Sequence, residues 1–218
     1  MEFLSRLDDA DRTALEAVAR SVQAERGDVL LARGDAADRV LILVDGRVKV
    51  TVPTTAGTDA VLTFRGPGAM LGEQALVDEL PRSANVIAIE PLAMLVIGAS
   101  AFRVFLKDHP QVALAMLAML SSRLRASDRR LAEFAAADTL GRVCARLVEM
   151  CDTYGVQAES GTVRITLPLS QEDLAGWTGA SLESTAKALR QLRQLGWITT
   201  GRRAIEVHDV AALRERAP

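Results

Sequence analysis

The 218-residue chain is poor in the side chains that most often announce a chemistry. Aromatic residues make up only 4% of it, so Leu, Val, Ile, Met and Ala must form most of any core. Two histidines, His109 and His208, cannot by themselves supply a His-rich metal site. Metal-dependent hydrolases and metal-binding cupins are therefore poor candidates. Two cysteines, Cys144 and Cys151, stand seven residues apart in a helical pattern and read as reduced core thiols of a cytoplasmic protein. No apolar run approaches the ~20 residues a membrane-spanning helix needs. The opening stretch, MEFLSRLDDADR, has acids where a signal peptide has its apolar segment, so export is not expected.

What is present is an ordinary globular mixture, 49% hydrophobic and 25% charged, long enough for one large domain or two modest ones. The net charge of −2 is unevenly spread. Residues 1–138 carry 16 Lys/Arg against 19 Asp/Glu, whereas residues 139–218 carry 10 against 9. Within Ser181–Arg203 five bases (Lys187, Arg190, Arg193, Arg202, Arg203) face one acid, Glu183. A local basic patch in an acidic chain suggests a small anionic-polymer footprint.

Leu7, Leu15, Val18 and Ala19 follow helical spacing near the N-terminus. From Gly27 the pattern changes to short apolar segments punctuated by glycine. RVLILVDGRVKVTV reads as a hairpin turning at Asp45-Gly46, FRGPGAM as a second turn, and ANVIAIEPLAMLVIG as two strands broken at Pro91. The regular spacing predicts a β-barrel or jelly roll over about Arg26–Ile97. A long helix follows, with Asp108 as its cap and Pro110 in its first turn. Leu117, Leu120, Leu124, Ser127, Leu131 and Phe134 recur at steps of 3 and 4, the spacing of a coiled-coil seam, which predicts a dimer interface.

Beyond Asp138, Leu140, Val143, Leu147, Val148 and Cys151 share a helical face, DTYGVQAESG is turn-rich, and VRITL is a strand. LSQEDLAGWTGASLESTAKALRQLRQLG then holds two short helices. Ser170 and Asp173 resemble a capping box, Gly179 sits in the turn, Ser181 caps the second helix, and Gly196 stops it. WITTGRRAIEVH reads as a wing turning at Thr200-Gly201-Arg202. Helix, turn, helix and wing make a winged helix-turn-helix. Its second helix projects Ser181, Leu182, Glu183, Ser184 and Lys187 toward base edges. Ser170, Gln171, Arg202 and Arg203 suit phosphates, which position without reading sequence.

LGEQALVDELPRSANV (71–86) is the second signal. Here the chain resembles the cyclic-AMP receptor protein (CRP/FNR) family of bacterial transcription regulators over essentially its whole length. The resemblance rests on Gly72, Glu73, Arg82, Ser83 and Ala84, which follow that family's phosphate-binding cassette. It implies that Glu73 binds a ribose 2′-hydroxyl, and that Arg82, Ser83 and nearby backbone N–H groups hold a cyclic phosphate. Guanidinium chemistry agrees, because its fork matches a phosphate with parallel charge-assisted hydrogen bonds. A buried Arg–Glu pair without ligand is the competing reading of Arg82 and Glu73. Ser127 and Asp128 fall where the family contacts the purine. Asp128 can accept from adenine N6, and also from guanine N1–H and N2–H, so cyclic AMP is favoured and cyclic GMP stays open.

The resemblance implies an α+β fold with three parts: a cyclic-nucleotide-binding β-roll or jelly roll over 1–108, a dimerisation helix over 109–137, and a winged helix-turn-helix DNA-binding domain over 138–218. It implies double-stranded DNA, a cyclic nucleotide, a second copy of the chain and RNA polymerase as partners, with no membrane. No cysteine precedes Cys144, and residues 26–97 hold neither His nor Cys, so neither iron–sulfur cluster nor haem is expected. Where the family commonly has Arg-Glu at the recognition helix this chain has Leu182-Glu183, and Lys187 replaces a usual Arg. An enzyme using Glu73 and Arg82 would lack an activated nucleophile and metal set. A ligand-independent DNA-binding regulator with a vestigial pocket is the remaining alternative.

Overall fold

A computed structural model describes every residue except Met1, Ala56, Glu159, Ser160 and Arg202. The chain forms two compact units, Met1–Ala126 and Ser127–Pro218. The first runs α1 (Asp9–Ala17), β1 (Arg20–Ala24), β2 (Val29–Leu31), β3 (Arg39–Asp45), β4 (Val48–Pro53), β5 (Asp59–Arg65), β6 (Met70–Leu71), α2 (Glu73–Asp78), β7 (Asn85–Ala88), β8 (Leu92–Gly98) and α3 (Ala99–Asp108). A long helix, α4 (Pro110–Ala136), begins in this unit and carries the chain into the second.

Two antiparallel four-stranded sheets, ordered β1-β8-β3-β6 and β2-β7-β4-β5, build the first unit. The run Val40–Leu43 explains their stacking, because all four side chains are buried. Successive residues of a strand point to opposite faces. Leu41 and Leu43 meet Val48, Val86 and Met94 between the sheets. Val40 and Ile42 meet Leu15, Phe102, Phe105, Val112 and Met116 under the helices. A strand covered on both faces reads as a continuous apolar run.

That two-sided burial overturns the expected hairpin at Asp45-Gly46. Both edges of β3 are taken, by β8 and β6, while β4 pairs with β5 and β7 in the other sheet. Gly46 is a corner between sheets: its φ is 75°, and a Cβ there would stand 2.4 Å from the Leu92 Cβ. The β region also begins earlier than expected, at Arg20. Asp108 ends α3, a helix the sequence reading missed, and so does not cap α4; Pro110 does open α4.

The second unit holds the end of α4, then α5 (Thr139–Tyr154), β9 (Gly155–Gln157), β10 (Val163–Ile165), α6 (Gln171–Thr178), α7 (Leu182–Gln194), β11 (Ile198–Gly201), β12 (Ala204–Val207) and α8 (Val210–Arg216). Its sheet is ordered β11-β12-β10-β9. Part of the stretch read as turn is therefore strand β9, which pairs with β10. Gly201 belongs to β11, paired with Ala204, so the wing turns later than expected, and Arg203 supplies the left-handed residue at φ 56°. The α+β class and the order of β-rich region, long helix and helix-turn-helix with wing agree with expectation. No helix among the described residues is long and apolar enough to cross a membrane.

Candidate functional site

The cassette residues lie where β6 gives way to α2 and where the chain returns to β7. Gly72 caps α2 with φ 82°. A Cβ on it would stand 2.6 Å from Arg82 Nη1 and 3.0 Å from Leu31 Cδ1, so glycine is required both by the backbone and by the guanidinium. Arg82 is 4% exposed. Its Nη1 donates to the Gly72 carbonyl at 2.7 Å, and its Nη2 donates to the Arg39 carbonyl at 2.5 Å and to Asp38 Oδ1 at 3.2 Å. Its backbone is fixed as well: Arg82 N–H donates to the Asp35 carbonyl, and its own carbonyl accepts from Gly34.

Asp38 also accepts from Arg39 Nη1 at 2.6 Å. Partial burial pushes the Asp38 carboxyl up, but the charge of Arg39 and the hydrogen bonds from Arg82 and Arg39 outweigh it and hold the group below its ordinary value. A cavity of about 230 Å³ opens here, lined by Leu31, Ala32, Asp35, Ala36, Asp38, Arg39 and Arg82.

Glu73 is 2% exposed, and its partner is not Arg82. Arg123 of α4 donates to Glu73 Oε1 at 2.6 Å and to the Met70 carbonyl at 2.8 Å. The competing Arg82–Glu73 pair thus does not form; two separate ion pairs take its place, with Asp38 and Arg123 as the partners the sequence reading missed. Ser83 is exposed, its hydroxyl 3.5 Å from Gln74 Oε1, and Ala84 is half-buried. Ser127 and Asp128 are exposed on α4, in the second unit. Of the seam, Leu117, Leu124 and Leu131 are 59%, 63% and 72% exposed, which leaves an apolar stripe bare on the single chain. Leu120 packs against the first unit's core, and Phe134 against the second unit's helix turn.

The helix pair of the second unit forms as its caps dictate. Ser170 and Asp173 make a reciprocal capping box at α6. Gly179 ends α6 at φ 60°, and a Cβ there would stand 2.6 Å from the Phe134 ring. Ser181 caps α7 by accepting from Ser184 N–H. Thr185, Ala188, Leu189 and Leu192 are buried, which turns Ser181, Leu182, Glu183, Ser184, Lys187 and Arg190 outward. The Ser170 hydroxyl is engaged in its cap, Gln171 is exposed, and Arg203 stands at the wing turn. These three line a cavity of about 300 Å³ with Leu182 and Thr200. Arg202, named with them, lies outside the described residues. Arg193 Nη1 donates to Thr200 Oγ1 at 2.9 Å, tying α7 to the wing, a contact no local pattern signals.

Beneath the helix pair, Arg146 donates to Glu133 and to Glu149, and Arg130 also reaches Glu149. Both guanidiniums lie over Trp177 of α6, Arg146 at 5.5 Å and Arg130 at 5.7 Å from its ring centre. Such stacking on an aromatic face suits Arg better than Lys. The lone groups of the sequence are structural. His109 meets Asp11, His208 meets Thr162 and Thr199, and burial pushes both thiols, Cys144 and Cys151, up to about 11. Among the described residues no three His, Cys, Asp or Glu side chains are grouped to hold a metal ion.

Comparison with known proteins agrees with this architecture. Residues 21–109 match the family model of the cyclic nucleotide-binding domain, and residues 141–216 that of the Crp-like helix-turn-helix domain. The chain is 32% identical over 204 residues to the CRP-like cAMP-activated global transcriptional regulator of Mycobacterium tuberculosis, covering 94% of this chain and 91% of that one. It is 26% identical over 192 residues to the cyclic AMP receptor protein of Thermus thermophilus, covering 88% and 85%. Among solved structures, the c-di-GMP responsive global regulator CLP of Xanthomonas campestris shares the fold with a TM-score of 0.83 at 18% identity, covering 93% of this chain and all of that one.

Proposed function

This chain belongs to the CRP/FNR family of transcription regulators, which are not enzymes, and on that premise we propose a cytoplasmic homodimer that binds cyclic AMP and a two-fold symmetric DNA operator. Its residues 1–108 take the nucleotide, 109–137 pair the two chains, and 138–218 meet DNA. Gly72, Glu73, Arg82, Ser83 and Ala84 hold ribose and phosphate, while Ser127 and Asp128 meet the purine. Cyclic GMP ranks second because a carboxylate at 128 accepts from guanine as well. Lys187, Glu183, Leu182, Ser181 and Ser184 read bases, and Ser170, Gln171, Arg202 and Arg203 seat the backbone. Nucleotide binding biases the dimer toward recognition helices ~34–36 Å apart, one DNA turn, and so toward the operator, where RNA polymerase is a further partner.

The observation that supports the ligand reading best is the Arg82 guanidinium, aimed along the cassette backbone beside a cavity. Two relatives carry cyclic AMP in their names, which supports the choice of nucleotide. One observation favours a second reading, a regulator that needs no ligand: the Arg82 guanidinium already has two carbonyls and one carboxylate as partners. Calorimetric titration of the full chain with cyclic AMP, then with cyclic GMP, separates them. Saturating heat at one site per chain supports the sensor, and silence with both nucleotides overturns it. The dimer is tested by Leu124→Asp, which would bury a charge in the seam and should weaken association by about 3 kcal/mol or more. An intact dimer on sedimentation would overturn the seam.

A further inference from the structure

We propose that Asp38 acts as a built-in competitor for the anion-binding guanidinium, and that it sets how tightly the cassette holds a cyclic nucleotide; this rests on the reading of Arg82 as the phosphate ligand. Of the partners of the Arg82 guanidinium, two are neutral carbonyls, Gly72 and Arg39, and one is an anion, Asp38. Arg82 is buried, yet the Asp38 side chain is 58% exposed, so the contact reaches from the interior to the wall of the cavity. A carboxylate bridging two guanidiniums, Oδ1 to Arg82 and Oδ2 to Arg39, takes up one donor of each that would otherwise be open to an entering phosphate.

An entering phosphate brings a second negative charge to the same pair of cations. Both anions cannot keep full contact with Arg82 Nη2, so the phosphate must displace Asp38 or share with it against like-charge repulsion. Asp38 stays ionised at neutral pH, since Arg39 and Arg82 hold its carboxyl below the ordinary value. Asp35, the other acid lining the cavity, meets Arg82 through its backbone carbonyl. Neutralising Asp38 leaves Arg82 in place on its two carbonyls and releases two guanidinium charges toward the cavity. Asp38 is thus a specificity-determining residue: it lowers the resting affinity, so that weakly held anions do not fill the site.

The test is calorimetric titration of the full chain with cyclic AMP, comparing wild type, Asp38→Asn and Asp38→Glu. Asn removes the charge and should tighten binding about fivefold, the upper range for a half-exposed ion pair. Glu keeps the charge and should leave the affinity within about twofold of wild type. A silent wild type with a binding Asn variant also supports competition. Equal or weaker binding by the Asn variant, with wild type binding, overturns the proposal and shows that Asp38 merely supports Arg82. Tightening by both variants overturns it too, because the effect would then not be one of charge. No heat from wild type or Asn variant, with cyclic AMP or cyclic GMP, instead overturns the underlying ligand reading. Asp38→Ser, checked for folding by thermal melting, replaces the Asn variant should that one unfold.

Discussion

The two charge-bearing regions of this molecule handle their charges in opposite ways. At the cassette, Arg82 and Glu73 are drawn inward and matched: Arg82 is held by Asp38 and two carbonyls, and Glu73 by Arg123. At the helix pair, Lys187 and Arg190 are held outward by a helix whose opposite face, Thr185, Ala188, Leu189 and Leu192, is buried, and Arg203 stands exposed at the wing turn. A buried charge needs a partner whether or not a ligand comes, because leaving it bare costs several kcal/mol. An exposed one can wait for its partner in water at little cost. On the proposed reading, the first arrangement makes a site whose occupancy competes with the protein's own contacts. The second makes a surface whose affinity is set by the partner and by salt.

The largest effect separating the regions is expected on stability. Arg82→Ala leaves the Gly72 and Arg39 carbonyls without their donor and should cost the first unit about 2–4 kcal/mol of unfolding free energy. Lys187→Ala, on an exposed helix face, should cost less than about 0.5 kcal/mol. Urea denaturation followed by circular dichroism measures both, and equal losses would break the contrast between inward and outward charge.

Gly179→Ala comes next, because it tests whether the outward surface depends on packing beneath it. Alanine would have to hold φ near 60° and meet the Phe134 ring at 2.6 Å. Left-handed strain of this kind costs about 1–3 kcal/mol. The variant should melt earlier and bind DNA less well, and a Phe134→Ala partner change should recover part of the loss. Failure to recover would show that the ring is not what limits the turn.

The contrast also explains which parts of the structure could be read in advance. The second unit's helix pair was legible almost to the residue, since a capping box at Ser170, a left-handed Gly179, a cap at Ser181 and a stop at Gly196 all act within a few positions. The Asp45-Gly46 signal was equally local but ambiguous, because a tight turn and a corner between sheets make the same demand on a backbone. Only the burial of Val40–Leu43 on both faces decides between them, and that depends on elements far along the chain. The cassette residues were found by motif, but their counter-ions were not. Asp38 lies 44 positions from Arg82, and Arg123 lies 50 from Glu73, so no spacing rule connects them. Arg123 left one physical clue, namely that a carboxylate as buried as Glu73 must find a cation.

The smallest effects are expected within the DNA surface itself, where the division between reading and positioning residues can be sharpened. Lys187 stands on the exposed face of α7, whereas Arg203 stands at the wing turn. If Lys187 contacts guanine O6/N7, Lys187→Ala should relax base preference at one position per half-site by ~1–3 kcal/mol. Arg203→Ala should weaken all sequences alike and reduce the slope of log K against log salt by about one unit, as loss of one phosphate contact does. Selection of a randomised duplex library by each variant, followed by titration at several salt concentrations, distinguishes the two. A preferred motif that survives Lys187→Ala but shifts with Arg203→Ala would invert the assignment, and the wing rather than α7 would then be the element that reads sequence.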